Sequence, residues 1–264
     1  MQTLTDFSDA SDSVEHIVFL HANGFPPDTY ASFLSAISSL GRVSTIEHRP
    51  LWTKEAPKFL DWGVYADDAI KTLEREATSP VWLVGHSMGG MVSIVTAANF
   101  PNAVATLVVI DSMMRMSEGR AAQLRRIGAG SGRAFDSKAA YVDGFKIRPQ
   151  ADLASPAVTR HMAASSCREY EDGQWRNKFD RHVYSQRHPV DGYAHWAKVW
   201  DARIPALVIA GGSSDRITAQ VLDQLSAVYP QITISTVDRA GHHVMLDNPR
   251  GYIEALAAYL EIDR

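Results

Sequence analysis

"VWLVGHSMGG" occupies residues 81–90, and the way this stretch is read decides the fold. Val81–Gly85 is mostly apolar and shows no polar alternation, as suits a strand covered on both faces. It runs directly into Gly85-His86-Ser87-Met88-Gly89, and the helix-like segment "MGGMVSIVTAANF" (88–100) follows. Glycine-x-serine-x-glycine between a strand and a helix describes a sharp turn with the serine at its apex, given room by the two glycines. Such a turn raises the Ser87 hydroxyl above the edge of the sheet. It also sets the Met88 amide at a helix N-terminus, where it can donate to a developing oxyanion. Ser87 is therefore a candidate nucleophile and Met88 a candidate oxyanion donor.

The same alternation extends outward. "HIVFLH" (16–21), "RVSTIEH" (42–48), "ATLVVID" (105–111), "ALVIAGG" (206–212) and "ITISTVD" (232–238) read as further strands. "GVYADDAIKTLEREA" (63–77) and "NPRGYIEALAAYLEI" (248–262) read as helices, the second with Asp247 or Asn248 placed to cap it and Pro249 in its first turn. Strands alternating with helices predict an α/β fold, a mostly parallel twisted sheet with helices on both faces. The alternation breaks after Asp111, and residues 113–201 offer helix-like pieces but no convincing strand. The expected organisation is a core formed by residues 1–112 and 202–264, with 113–201 inserted as a helical cap. The cap would lie outside the carboxyl ends of the strands, where open α/β sheets bind ligands.

A serine hydroxyl is a weak nucleophile and needs a base, itself oriented by an acid. Later strand ends supply candidates for both. "ALVIAGGSSDRIT" delivers Asp215 just beyond a strand, and "STVDRAGHHVMLDNP" delivers His242 and His243 before the final helix. The chain order Ser, Asp, His is the one expected of this architecture. The second oxyanion donor is expected from the loop after the first apolar strand, His21-Ala22-Asn23-Gly24.

"FLHANGFPP", "VGHSMGG", "IAGGSSDRI" and "AGHHVMLDNP" together resemble the α/β-hydrolase superfamily over most of the chain. The resemblance implies His242 as base, in the register Gly241-His242 followed by an apolar run and Asp247, with His243 as a packing neighbour. It implies Asp215 as the acid, with Asp111 at the position from which some members draw theirs. It also places the second oxyanion amide two residues after the loop histidine, at Asn23, although His21-Ala22 departs from the commoner His-Gly. His21 and His86 read as bracing residues. With so little chain before His16, the antiparallel hairpin that often opens this fold is expected to be short or partly absent. A serine at 87 speaks against branches that use an aspartate nucleophile. The activity implied is hydrolysis of a small-molecule carboxylic ester through an acyl-enzyme, with no cofactor and no metal. Thioester, amide or carbon–carbon hydrolysis, perhydrolysis, acyl transfer, or ligand binding without catalysis remain compatible.

Composition narrows the field. The 264 residues carry a formal charge of -4 and no basic run, which argues against a nucleic-acid partner. Cys167 is the single cysteine, so no internal disulfide forms. No apolar stretch is long enough for a membrane span, and no signal-like segment opens the chain, so a cytoplasmic protein is expected. "GAGSGR" (128–133) follows no strand and lacks a following Lys-Ser or Lys-Thr, so it reads as a hinge rather than a phosphate loop. His161, His182, His188 and His195 have no metal-ligand spacing. Trp175, Phe179, Tyr184, Tyr193 and Trp196 read mainly as packing between cap and core.

Overall fold

A computed structural model describes residues 2–7, 15–52, 61–130, 132–149, 151, 153–179, 181, 184 and 190–262. In chain order the elements are β1 (Leu4–Asp6), β2 (His16–Leu20), α1 (Ala31–Ile37), β3 (Arg42–Ile46), α2 (Trp62–Glu76), β4 (Val81–His86), α3 (Met88–Asn99) and β5 (Val104–Ile110). Next come β6 (Arg115–Met116), α4 (Glu118–Ala129), α5 (Lys138–Gly144), α6 (Pro156–Ser166), β7 (Cys167–Glu169), β8 (Trp175–Asn177), β9 (Val190–Asp191) and α7 (Tyr193–Asp201). The chain closes with β10 (Ala206–Gly211), α8 (Ala219–Val228), β11 (Thr233–Val237), α9 (Val244–Asp247) and α10 (Pro249–Ile262).

Seven strands form one sheet in the order β1-β3-β2-β4-β5-β10-β11. All neighbours run parallel except β1, which pairs antiparallel with β3 at Leu4–Ile46. The opening of the chain therefore contributes a three-residue edge strand laid on β3, where Asp6 accepts from Ser44 Oγ at 2.6 Å and from Arg42.

The alternation of the central strands divides the core into two layers. Val18, Leu20, Leu107, Val109, Val208 and Ala210 pack with α2, α3, α7 and α8 on one face. Ile17, Phe19, Val108, Ile110, Leu207 and Ile209 pack with α1 and α10 on the other. Burial on both faces explains the uninterrupted apolar runs of the sequence. Several helices start where the sequence supplies acceptors: the Asp61 carboxylate takes the Gly63 and Val64 amides of α2, and the side-chain oxygens of Thr218 and Asn248 accept first-turn amides of α8 and α10.

The segment between Asp111 and Ala206 differs in detail from expectation. It holds α4–α7 and also two short antiparallel pairs, β6 with β9 and β7 with β8. Pairs of two or three residues containing Arg115, Arg168 and Arg176 are too short and too polar to show a period-two pattern. His182 and His188 lie outside the described residues. Among the described residues no helix is long and apolar enough to cross a membrane.

The tightest point in the fold is where β4 meets α3. A Cβ on Gly85 would lie 2.2 Å from the Gly89 carbonyl oxygen, and one on Gly89 would lie 2.1 Å from that of Leu20. Gly89→Ala is therefore expected to destabilise the protein by about 1–3 kcal/mol, since backbone must shift to admit the methyl group. Urea unfolding checks this, and an unchanged midpoint would show that the elbow can relax.

Candidate active site

The end of β4 carries Ser87 at φ 56°, ψ −117°, a conformation that a side-chain-bearing residue adopts only under constraint. Three contacts impose it. The Ser87 amide donates to the Ile110 carbonyl at 2.9 Å, the Ser112 hydroxyl donates to the Ser87 carbonyl at 2.6 Å, and α3 begins immediately with Met88. Met88 thus sits at the positive end of the helix dipole.

His242 follows β11 on the loop that leads into α9. Its Nδ1 donates to Asp111 Oδ2 at 2.7 Å, which leaves Nε2 as the basic nitrogen. Asp111 is the residue directly after β5, fully buried and itself at φ 42°. Two further donors converge on its carboxylate, the Gly211 amide at 3.0 Å on Oδ1 and the Ser214 hydroxyl at 2.6 Å on Oδ2. Burial pushes Asp111 above the usual carboxylate range while Ser214 and Gly211 pull it back. Burial also holds His242 below an ordinary imidazole, and the neighbouring Arg216 and Arg120 charges add to that, so the ring is neutral and able to accept a proton.

Asp215, the acid expected from the sequence, is not at the imidazole. It stands four residues beyond the end of β10, with its side chain 69% exposed and 3.3 Å from Arg216 Nε. The sheet order explains the difference: β5 lies directly between β4 and β10, so the first residue after β5 reaches the centre of the edge. Sequence reasoning also missed Ser112, Ser214 and Tyr30. The signal for the first two was their position within a few residues of an apolar strand end.

A hydrogen-bonded chain fixes the two flanking loops. The Tyr30 hydroxyl accepts from the Ala22 amide at 3.2 Å and donates to His86 Nδ1 at 2.9 Å. His86 Nε2 in turn donates to the His242 carbonyl at 2.9 Å. His21 Nε2 accepts from the His48 amide at 3.0 Å, and His21 Nδ1 donates to the Ala22 carbonyl at 2.8 Å. His21 thus ties backbone to backbone, and His86 ties the Tyr30 side chain to the backbone of the base loop. His243 packs its ring 5.2 Å from Phe25 and 5.1 Å from His242. Asp247 accepts the Gly241 amide at 2.9 Å and so anchors the base loop, leaving the capping of α10 to Asn248.

Ser87, Met88, Asn23 and His242 all line one cavity of about 560 Å³. Its far wall comes from the segment after β5, including Met116, Leu124, Ile127 and Phe145. Of the aromatic residues singled out in the sequence, Tyr184 lines this cavity and stacks on the buried Phe179, while Trp196 is fully buried against α3. Among the described residues, no group of three or more His, Cys, Asp or Glu side chains is arranged to hold a metal.

The profile of the alpha/beta hydrolase family matches residues 17–255. The chain is 26% identical to the esterase YbfF of Escherichia coli over 76% of its length and 75% of that protein. It is also 26% identical to the esterase Rv0045c of Mycobacterium tuberculosis, over 94% of its length and 84% of that protein. The crystal structure of E-2-(acetamidomethylene)succinate hydrolase superposes with a TM-score of 0.78 over 99% of both chains, at 19% identity.

Burial has a consequence for stability. His21 and His86 are fully buried, which pushes them down to about 4 and about 3, and burial lowers His16, His195, His242 and His243 as well. Below about pH 6.5 the unfolded chain binds protons at these rings more readily than the folded chain, so stability falls as pH drops from there. Each fully depressed histidine contributes about 1.4 kcal/mol per pH unit, partly offset by the raised carboxyls Asp111 and Glu47. Urea unfolding at pH 7 and pH 5 checks this; equal stabilities would show that the rings do not stay neutral.

Proposed function

Because the chain belongs to the alpha/beta hydrolase family and is a hydrolase, we propose that it cleaves a carboxylic ester through an acyl-enzyme on Ser87. The observation that carries this reading is the strained Ser87 at the apex of β4–α3, lining the same cavity as a neutral His242 whose other nitrogen is held by Asp111.

In the first step His242 Nε2 takes the hydroxyl proton as Ser87 Oγ bonds to the ester carbonyl carbon. The carbonyl oxygen becomes an oxyanion, for which the Met88 and Asn23 amides are the donors. The imidazolium that forms is stabilised by Asp111 across the 2.7 Å hydrogen bond, and Asp111 takes the role first expected of Asp215. Collapse breaks the bond to the alcohol oxygen, which leaves with the proton from His242. Water, deprotonated by the same nitrogen, then attacks the acyl-enzyme, and the acid departs as Ser87 regains its proton. Residues 113–201 act in this reading as a cap that closes the acyl pocket over Ser87.

A panel of 4-nitrophenyl esters tests the proposal. Turnover is expected, with Ser87→Ala losing about 10⁶ in kcat and Asp111→Asn about 10⁴. Asp215→Asn should remain within about twofold to fivefold, as befits an exposed ion pair. Absence of both ester turnover and fluorophosphonate labelling of Ser87 would sink the esterase reading. A large loss in Asp215→Asn with a mild one in Asp111→Asn would reverse the assignment of the acid.

A further inference from the structure

The cavity above Ser87 has an uneven charge. Arg120, Lys146, Arg148 and Arg216 line it, and among the described residues no aspartate or glutamate does. The chain as a whole carries a formal charge of -4, so this concentration of cations is local and opposes the average. Lys146 and Arg148 are exposed and can be hydrated. Arg120 and Arg216 are only partly exposed, and they come from different parts of the chain.

Arg120 lies in the first turn of α4, on the segment that forms the far wall, and Arg216 lies on the core loop after β10. The Arg120 Nη1 donates to Gln123 Oε1 at 2.6 Å, but its Nε is buried and has no partner among the described residues. Arg216, with its side chain only 17% exposed, has Asp215 at 3.3 Å, a carboxylate that is itself mostly in solvent. The two guanidinium charges act on each other: burial lowers Arg120, the charge of Arg216 lowers it further, and Asp215 opposes this in part. Two like charges facing one cavity, one with an orphaned N–H, form an arrangement that a bound anion would relieve. The planar fork of a guanidinium matches a carboxylate in particular.

We propose that the physiological substrate carries a carboxylate separate from the bond that is broken, and that this carboxylate seats between Arg120 and Arg216. This rests on the ester-hydrolase reading above and specifies its substrate class. Since one arginine belongs to the segment over the site and the other to the core, the same contact draws that segment down onto the core once substrate is present. An uncharged ester of equal length gains neither effect.

Two matched pairs of esters test the idea. 4-Nitrophenyl hydrogen adipate against 4-nitrophenyl hexanoate places the charge on the acyl side, and 4-acetoxybenzoate against phenyl acetate places it on the alcohol side. In at least one pair the charged member is expected to have a kcat/KM about 10- to 100-fold higher, mainly through KM. Arg120→Gln and Arg216→Gln should each collapse that ratio, which as an internal ratio cancels general losses of folding or chemistry. Ratios near one in both pairs, or ratios that survive both substitutions, would overturn the proposal. Calorimetry on the unmodified protein with adipate and adipamide is independent of turnover. Saturable binding of adipate alone, lost in the arginine variants, is expected; equal binding of both, or of neither, counts against it. If no ester is turned over and Ser87 is not labelled by a fluorophosphonate, the esterase reading falls while the binding measurement still decides on the carboxylate site.

Discussion

Asp111 and His242 are 131 residues apart in sequence and meet across 2.7 Å, and the arrangement of the site follows from that contact. A buried carboxylate is tolerated only if its acceptor capacity is filled. Here it is filled from two directions, by the Gly211 amide and Ser214 hydroxyl of the β10 loop and by the imidazole of the loop after β11. Asp111 therefore locates both loops relative to the end of β5. It also fixes which imidazole nitrogen carries the proton, and so which nitrogen is free to act as base.

The second constraint is strain shared between adjacent strand ends. Ser87 and Asp111 both hold positive φ, a conformation that costs on the order of 1–3 kcal/mol at each non-glycine residue. They end β4 and β5, which are neighbours in the sheet, and each turn supports the other. Ser87 donates its amide to Ile110, Ser112 closes on the Ser87 carbonyl, and Asp111 donates its amide to Ile209 at 2.7 Å. The apolar layers on both faces of these strands hold the backbone rigid enough to keep the turns from relaxing. The Ala22–Tyr30–His86–His242 chain extends the same bracing to the loop after β2.

What could be read from the sequence follows the same division between local and non-local causes. Strand runs such as Val104–Ile110 and Ala206–Gly211 announce themselves because burial on both faces demands continuous apolar residues. The Ser87 turn announces itself because glycine is needed on both sides of it. The short pairs β6–β9 and β7–β8 left no such trace, since two or three residues make no period. Asp111 and Asp215 both follow apolar strands, and no local property separates them. The difference is lateral: β5 sits between β4 and β10, and strand order in a parallel sheet is set by crossovers that sequence reading does not resolve. Asp215 also has Arg216 beside it, and an exposed aspartate next to an arginine pairs locally rather than reaching inward. Asp247 and Asn248 show the same limit on a smaller scale: either could cap α10, and only the position of the Gly241 amide assigns the first to the base loop.

The arginine pair connects substrate charge to the strength of the base. The charges acting on His242 are Arg216 and Arg120, which lower its proton affinity, and Asp215, which raises it. Burial is the larger cause of its lowered proton affinity and the two guanidinium charges add to it, so the imidazole is neutral but a weaker base than an ordinary histidine. A carboxylate seated between the two arginines adds a negative charge that acts on His242 with the same sign as Asp215. The proton affinity of His242 then rises toward the value at which a base works best near neutral pH. Binding the anion thus does more than position the ester. It offsets the part of the electrostatic penalty on the imidazolium that the two arginines impose, while the larger part, due to burial, remains.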